Sequence, residues 1–496
     1  MAEKHDFTCV CQKKALTLQP QSFDNNKKLK DMKRFLVVVM AVLCVMCATA
    51  QVKYVFYMIG DGMGPNQVLS TEMYQAELKG KIGREKLCMT QFPVSGQLST
   101  YSTSNGITDS SAAGTCLASG KKTNNGTLGL DDLNKPVETI AEILRDKGWS
   151  IGIMTSVSID HATPGAFYAH VNKRSEYYKI GKQLAESKFD FFGGSSFLHP
   201  TDKDDASAPN LYKLCEEAGY HFAHGYKEYE EVAGTERVIL IQSHEGQDIT
   251  QPSEGMIPYA LDKTPEDLTL PQITSAAIDF LSRKQKPFFM MVEGGAIDWA
   301  CHSNDAATVI GEVQEFDKAI QVVYDFYKKH PKETLIIITA DHETGGMALG
   351  NKKYTLDLQL LQNQKVSLGK LSDEIKALQE QYGKKLKWEQ VKDLLQKEVG
   401  LYEAVPVKSE EDAELQQLFK QVLNNKAKDE KTLYAEVSAL AAKAIKLLNK
   451  KAHVGWTTTS HSAAAVPVFA IGQGAELFTG WHDNSEVMPL ILKATN

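Results

Sequence analysis

Six short, nearly unbroken apolar runs constrain this chain most: "VKYVFYMI" (52–59), "WSIGIMTSV" (149–157), "ERVILIQS" (236–243), "PFFMMVEGG" (287–295), "TLIIITA" (334–340) and "VPVFAIGQG" (466–474). Runs of this kind read as strands buried on both faces of a sheet. Helical patterns lie between them, as in "TVIGEVQEFDKAIQVVYDFYKKH" (308–330), with apolar residues at 309, 313, 316, 320 and 323. Strands alternating with helices predict an α/β fold, a mostly parallel central sheet with helices on both faces. Ligands of such sheets bind beyond the carboxyl ends of the strands.

The residues expected at those ends are rich in metal-ligand chemistry. Asp61 follows the first run, among Gly60, Gly62 and Gly64 in "GDGMG". Glu293 falls at the end of the fourth, after its apolar part 287–292, with Asp298 and His302 beyond it in "VEGGAIDWACHSND", Asp341 and His342 follow the fifth in "TADHETGG", and His461 precedes the sixth in "WTTTSHSAAAVP". Two tight polar loops add "TDSSAAGT" (108–115), with Asp109, Ser110 and Ser111, and "DHATPGAFYAHVNKR" (160–174), with His161, Thr163 and Arg174. Singly these are ordinary, because Asp and Ser cap helices and a pair spaced like Asp298 and His302 can be a surface couple. Together they place three histidines and four carboxylates at the strand ends, with a helix-start serine and an arginine, at one crevice. Imidazole and carboxylate without thiolate suit Zn²⁺, and oxygen-only sets suit Mg²⁺. So large a supply of ligands fits a two-metal centre with a third, harder ion nearby.

Other classes fit poorly. A net charge of −7 and the lack of a basic run interleaved with aromatics give no sign of nucleic-acid-specific binding. "GDGMG" departs from the dinucleotide fingerprint G-x-G-x-x-G, since its third glycine arrives one residue early. Cys88, Cys116, Cys215 and Cys301 are scattered, which implies neither a disulfide framework nor a thiolate metal site.

At the N-terminal side, "MKRFLVVVMAVLCVMCATAQ" (32–51) reads as a signal peptide over 32–50 that ends on Ala48-Thr49-Ala50. It predicts secretion across the inner membrane to the periplasm or beyond, a mature chain starting at Gln51, and residues 1–31 as a misassigned extension. The apolar part, Phe35 to Ala50, falls short of the roughly 20 residues of a membrane span, so the mature chain is expected to carry no transmembrane segment. From 353 to 452 no strand pattern occurs. Leu371, Ile375, Leu378 and Tyr382 share one helical face, Leu415, Leu418, Phe419 and Val422 share another, and Ser409 with Asp412 marks a helix start. Three or four amphipathic helices are expected to interrupt the α/β domain, either as decoration or with a partner, dimer or substrate-gating role.

With "GDGMG", "TDSSAAGT", "HATPGAF", "VEGGAIDWACH", "TADHETGG" and "TTSHS" in that order, the chain resembles the bacterial-type alkaline phosphatases, a family of metal-dependent phosphohydrolases, over about 52–352 and 453–496. The resemblance implies hydrolysis of small phosphate monoesters at alkaline pH through a phosphoserine, by a homodimer carrying two Zn²⁺ and one Mg²⁺. It implies Ser110 as nucleophile, preceded by Asp109. It also implies one zinc on Asp298, His302 and His461 and a second on Asp61, Asp341 and His342. Asp61 would bridge to a magnesium held by Thr163 and Glu293, and Arg174 would clamp the phosphate. Some members carry aspartate at the position of His161, and lysine or histidine at that of Trp299. A weaker or less Mg²⁺-selective third site is therefore expected here. "DSSAAGT" lacks the C/S-x-P-x-R setting of sulfatases. A phosphodiesterase remains the alternative, although such enzymes usually have a threonine nucleophile and lack the arginine.

Overall fold

All six apolar runs supply strands to one sheet of ten. In chain order the strands are β1 (Tyr54–Ile59), β2 (Val94–Ser99), β3 (Ser150–Thr155), β4 (Phe191–Gly194), β5 (Tyr220–His224), β6 (Arg237–Ile241), β7 (Phe288–Glu293), β8 (Thr334–Thr339), β9 (Val466–Gly472) and β10 (Gly480–Asp483). Across the sheet they run β10-β2-β9-β8-β1-β7-β3-β4-β6-β5. The computed structural model describes residues 51–242, 255–352, 354–424, 428–431 and 433–496. The expected signal peptide (32–50) and extension (1–31) lie outside these, and no helix among the described residues is long and apolar enough to cross a membrane.

The middle of the sheet explains the unbroken apolar runs. β3, β7 and β8 are buried at every residue, and β1 at every residue but its first. Every neighbouring pair is parallel except those made by β9, which runs antiparallel to β8 and β2. This reversal accounts for a peculiarity of the sequence. Residues that follow β1, β7 and β8 meet residues that precede β9, so His461 enters the crevice from in front of its strand. Register aligns the contributors, since Ile59 lies opposite both Glu293 and Thr339, and Thr155 lies opposite Glu293. Asp61 and Asp341 each stand two residues beyond such a pairing.

Four helices fill the expected helical region: Leu368–Tyr382, Trp388–Val399, Ser409–Leu423 and Ala439–Lys451. Leu371, Ile375, Leu415 and Phe419 are buried on the expected faces, Leu378, Leu418 and Val422 are partly buried, and Tyr382 is exposed. Two details correct the reading of this region. A short antiparallel pair, Glu430–Lys431 with Glu436–Val437, stands where no strand was expected. Ser409 opens its helix, but the Lys408 N–H donates to Glu411, while Asp412 accepts from the Tyr402 hydroxyl.

Asp305 ties this region to the sheet domain. It caps the helix Ala306–Lys329 by accepting from the Thr308 N–H at 3.3 Å, and it also takes Thr308 Oγ1 at 2.7 Å, Gln364 Nε2 at 2.8 Å and the Leu368 N–H at 2.8 Å. Removing a buried acceptor of this kind loses a cap and strands its donors. Asp305→Ala should lower unfolding free energy in urea by about 3 kcal/mol. A change below about 0.5 kcal/mol, the usual scale of surface substitutions, would show that the junction does not depend on this residue.

Candidate active site

Asp61 leaves β1 through the one left-handed turn of "GDGMG". Gly62 has φ +70°, and a Cβ there would meet Asp298 Oδ1 at 2.8 Å. Gly60 and Gly64 lack positive φ, but a Cβ on Gly64 would overlap Glu343. The glycines thus let backbone and carboxylates crowd together. Ser110 is the first residue of the helix Ser110–Ser119, whose N-cap Asp109 accepts from the Ala112 N–H at 3.0 Å and from Ser111 Oγ at 2.7 Å. Gly114 lets this helix approach the Thr163 turn, since a Cβ there would lie 3.3 Å from Thr163 Cα.

All eight expected metal-ligand residues come together. Among the described residues, three groups bring one ligand atom per residue within 4.8 Å of one another: Asp298, His342 and His461; Asp61, Asp341 and His342; Asp61, His161 and Glu293. His302 joins the first group, its Nε2 3.2 Å from both Asp298 Oδ2 and His461 Nε2. Thr163 joins the third, donating to Asp61 Oδ2 at 3.4 Å. Ser110 Oγ lies 3.2 Å from His342 Nε2. Arg174 reaches the same space, its guanidinium 3.3 Å from Asp109 Oδ2 and 3.4 Å from His161 Nε2. His302 Nδ1 donates to the Thr459 carbonyl at 2.6 Å and His461 Nδ1 to the Thr108 carbonyl at 2.8 Å. A proton held at Nδ1 leaves each Nε2 lone pair turned into the pocket, the tautomer a metal requires.

The donor set fits cations. Asp61 Oδ1, Glu293 Oε1, Asp298 Oδ2 and Asp341 Oδ2 are buried without a hydrogen-bond donor. Stranding that much negative charge is costly unless positive charge compensates it. Burial, then the neighbouring carboxylates, push Asp61 and Asp341 well above the usual carboxylate range, and burial takes Glu293 to about 7. Burial also opposes ionisation of Asp298, but His302, His461 and His342 outweigh it and hold its carboxyl low. Burial opposes charge on His302 too, yet Asp298 beside it raises its pKa. Burial keeps His342 and His461 neutral.

Three contributors escape a reading of the sequence alone. Thr155 donates to Glu293, and its place opposite that residue in the β3–β7 register is the signal that could have found it. Thr344, within "TADHETGG", donates to Asp298 and lies 3.2 Å from His342 Nδ1. Tyr434 stands between the two short strands of the helical region, with its ring parallel to Trp299 at 4.3 Å. The sequence pattern there indicates helices alone.

A mostly parallel α/β sheet with this cluster at its strand ends defines a metal-dependent hydrolase. The chain belongs to the alkaline phosphatase family, whose model, described as "Alkaline phosphatase", matches residues 52–496. It is 32% identical over 460 residues to alkaline phosphatase 4 of Bacillus subtilis (strain 168), covering 90% of this chain and 89% of that protein. It is 29% identical over 336 residues to the alkaline phosphatase of Escherichia coli (strain K12), covering 58% and 70% of the two. Among solved structures it resembles a cold-active alkaline phosphatase from a psychrophilic Shewanella sp. (TM-score 0.75, 27% identity, 89% of this chain and 99% of that one). It also resembles the enzyme of the Antarctic bacterium TAB5 (TM-score 0.63, 25% identity, 90% and 98%).

The electrostatics give a test that needs no substrate. Well above pH 6.5, the unperturbed histidine value, these imidazoles are neutral in both states and no longer change proton count on unfolding. The raised carboxyls still hold protons in the folded state that the unfolded chain releases, and the raised His302 acts in the same direction. The native state then binds more protons, so stability must fall as pH rises. Chelated protein should therefore lose melting temperature between about pH 7.5 and 9, and Zn²⁺ with Mg²⁺ should abolish the slope. A flat profile in chelator would contradict these shifts.

Proposed function

We propose that this chain is a secreted phosphomonoesterase, acting at alkaline pH through a phosphoserine on Ser110, with two zinc ions and one magnesium ion. The observation that carries the reading is the placement of the Ser110 hydroxyl, buried at a helix N-terminus, 3.2 Å from His342 Nε2 and flanked by Arg174. Asp298, His302 and His461 would hold one zinc, Asp61, Asp341 and His342 the other, and Asp61, Thr163 and Glu293 the magnesium. Bound there, the ions supply Lewis acidity and neutralise the charge of the transferred group.

The residues divide the remaining work. Arg174 offers a planar fork to two phosphate oxygens, and Asp109 aims it by taking one guanidinium edge. The N-terminus of the helix Ser110–Ser119 presents its amides to the anion. The Ser110 oxygen attacks phosphorus, the Ser110–phosphate bond forms as the bond to the ester oxygen breaks, and the departing alcohol takes up one proton from water in exchange for the one the Ser110 hydroxyl gives up. Water then attacks the phosphoserine, releasing inorganic phosphate and restoring the hydroxyl. Export after removal of 32–50, a homodimer, and a catalytic domain of 51–352 and 453–496 interrupted by 353–452 complete the reading.

His161 bears on the third site. It contributes a nitrogen beside Asp61 and Glu293, where a magnesium site prefers oxygen alone. Magnesium is bound in the M3 site of a histidine-to-aspartate mutant of the TAB5 enzyme, the same exchange of side chains. His161→Asp should lower the half-activating Mg²⁺ concentration about tenfold; an unchanged Mg²⁺ titration would refute the role given to His161.

The central test is phosphate release from an aryl phosphate monoester at alkaline pH. Chelator should abolish it, and Zn²⁺ plus Mg²⁺ should restore it. Ser110→Ala should retain the fold and lose roughly a thousandfold or more in kcat. A parent without metal-dependent hydrolysis overturns the reading, and a fully active Ser110→Ala overturns the nucleophile.

A further inference from the structure

Tyr434 sits between Glu430–Lys431 and Glu436–Val437, outside the sheet domain, yet its side chain belongs to the catalytic pocket. Its ring lies parallel to Trp299, centroids 4.3 Å apart and planes 10° apart. The same ring meets His302 edge-on at 5.4 Å and His161 at 5.9 Å. Lys431 and Leu433 from this hairpin, with Ile107, Asn125 and His461, line a cavity of about 430 Å³ at the mouth of the pocket. The hairpin is therefore a wall of the site.

Polar atoms on this wall lack partners. The Tyr434 hydroxyl, Trp299 Nε1 and His161 Nδ1 are all buried and make no hydrogen bond. Such groups are rare in a folded protein and call for an explanation, of which a ligand is one. The hydroxyl lies beside the Arg174 guanidinium without a well-formed hydrogen bond to it. A guanidinium has no acceptor, so it can present only N–H to the phenol oxygen. The phenolic proton is thereby left to point into the pocket, toward whatever Arg174 holds. A structural stack alone would require the ring of Tyr434 but not its hydroxyl.

We propose that Tyr434 contacts substrate: its hydroxyl donates to an oxygen of the phosphoryl group held by Arg174, and its ring, stacked on Trp299, closes the pocket over that group. The inference rests on the phosphomonoesterase reading and extends it, because it gives the helical region a part in binding. Arg174, with bonds to Asp109 and His161, retains N–H groups for the phosphate. Tyr434 supplies a neutral donor from the opposite chain segment.

Binding of inorganic phosphate to the full, metal-loaded chain tests this without catalysis. By titration calorimetry, Tyr434→Phe should weaken phosphate about tenfold, close to 1.4 kcal/mol for a hydrogen bond to a charged group. Tyr434→Ala should weaken it further, and both variants should keep the parent's zinc content and melting profile within the effect of a lost stack. In turnover, Tyr434→Phe should raise KM and the inhibition constant of phosphate together. Phosphate affinity of Tyr434→Phe within twofold of the parent, with or without a change in Tyr434→Ala, overturns the proposal, as does a parent that binds no phosphate. Hydrolysis by the parent with an unaltered Tyr434→Phe would refute the tyrosine and leave the phosphatase reading standing.

Discussion

Four carboxylates, Asp61, Glu293, Asp298 and Asp341, are completely buried within one pocket, and much of the surrounding structure answers to that fact. Like charges at this spacing repel, and each wants water or a cation. The sheet holds them against that repulsion by brute rigidity. β1 is hydrogen-bonded to β7 on one side and β8 on the other, with Ile59 opposite both Glu293 and Thr339. Fixing the register fixes the carboxylates, because each follows its strand at a set distance. The apolar core pins that register, since a slip of one residue would turn the side chains of a strand to its other face.

The same shortage of space explains why small residues frame the site. At Gly62 a side chain would strike Asp298, and at Gly64 one would strike Glu343. "GDGMG" first suggests a backbone cradle for phosphate. In the fold it permits close approach among carboxylates, with Asp61 buried among them. Ser110 shares the principle, since the Ala112-Ala113-Gly114 stretch behind it packs closely against the Thr163 turn.

Legibility in the sequence followed burial. Strands buried on both faces announced themselves as apolar runs, whereas β2, half-exposed and polar, and β4, only four residues long, did not. β5 and β10 lie at the sheet edges, where one side of a strand lacks a neighbour and the apolar signal weakens. The residues that the fold gathers at the candidate site were legible because strand-end motifs travel as short contiguous words. Thr155 was not, since its meaning arises only from pairing with β7, a relation between distant segments. His461 was legible as a residue but not in its geometry, because apolar pattern carries no strand direction and the antiparallel course of β9 had no signal.

Tyr434 marks the limit of local reading. Its immediate neighbours, Leu433 and Ala435, are exposed, and nothing in "DEKTLYAEV" (429–437) distinguishes a pocket residue from a surface tyrosine. Its position follows from two separate anchors. Asp305 binds the start of the helical region through Gln364 and Leu368, and Asn449 near its end donates to the Asn304 carbonyl at 2.6 Å. Both anchors adjoin His302, within the segment that continues the helix of Asp298. A region fixed at both ends beside the helix of Asp298 and His302 cannot place its hairpin freely, so the stack on Trp299 follows from the docking. Substrate recognition that arises in this way can vary with the helical region while the sheet and its carboxylates stay fixed. That separation would let the contacts to phosphate change while one carboxylate frame is kept.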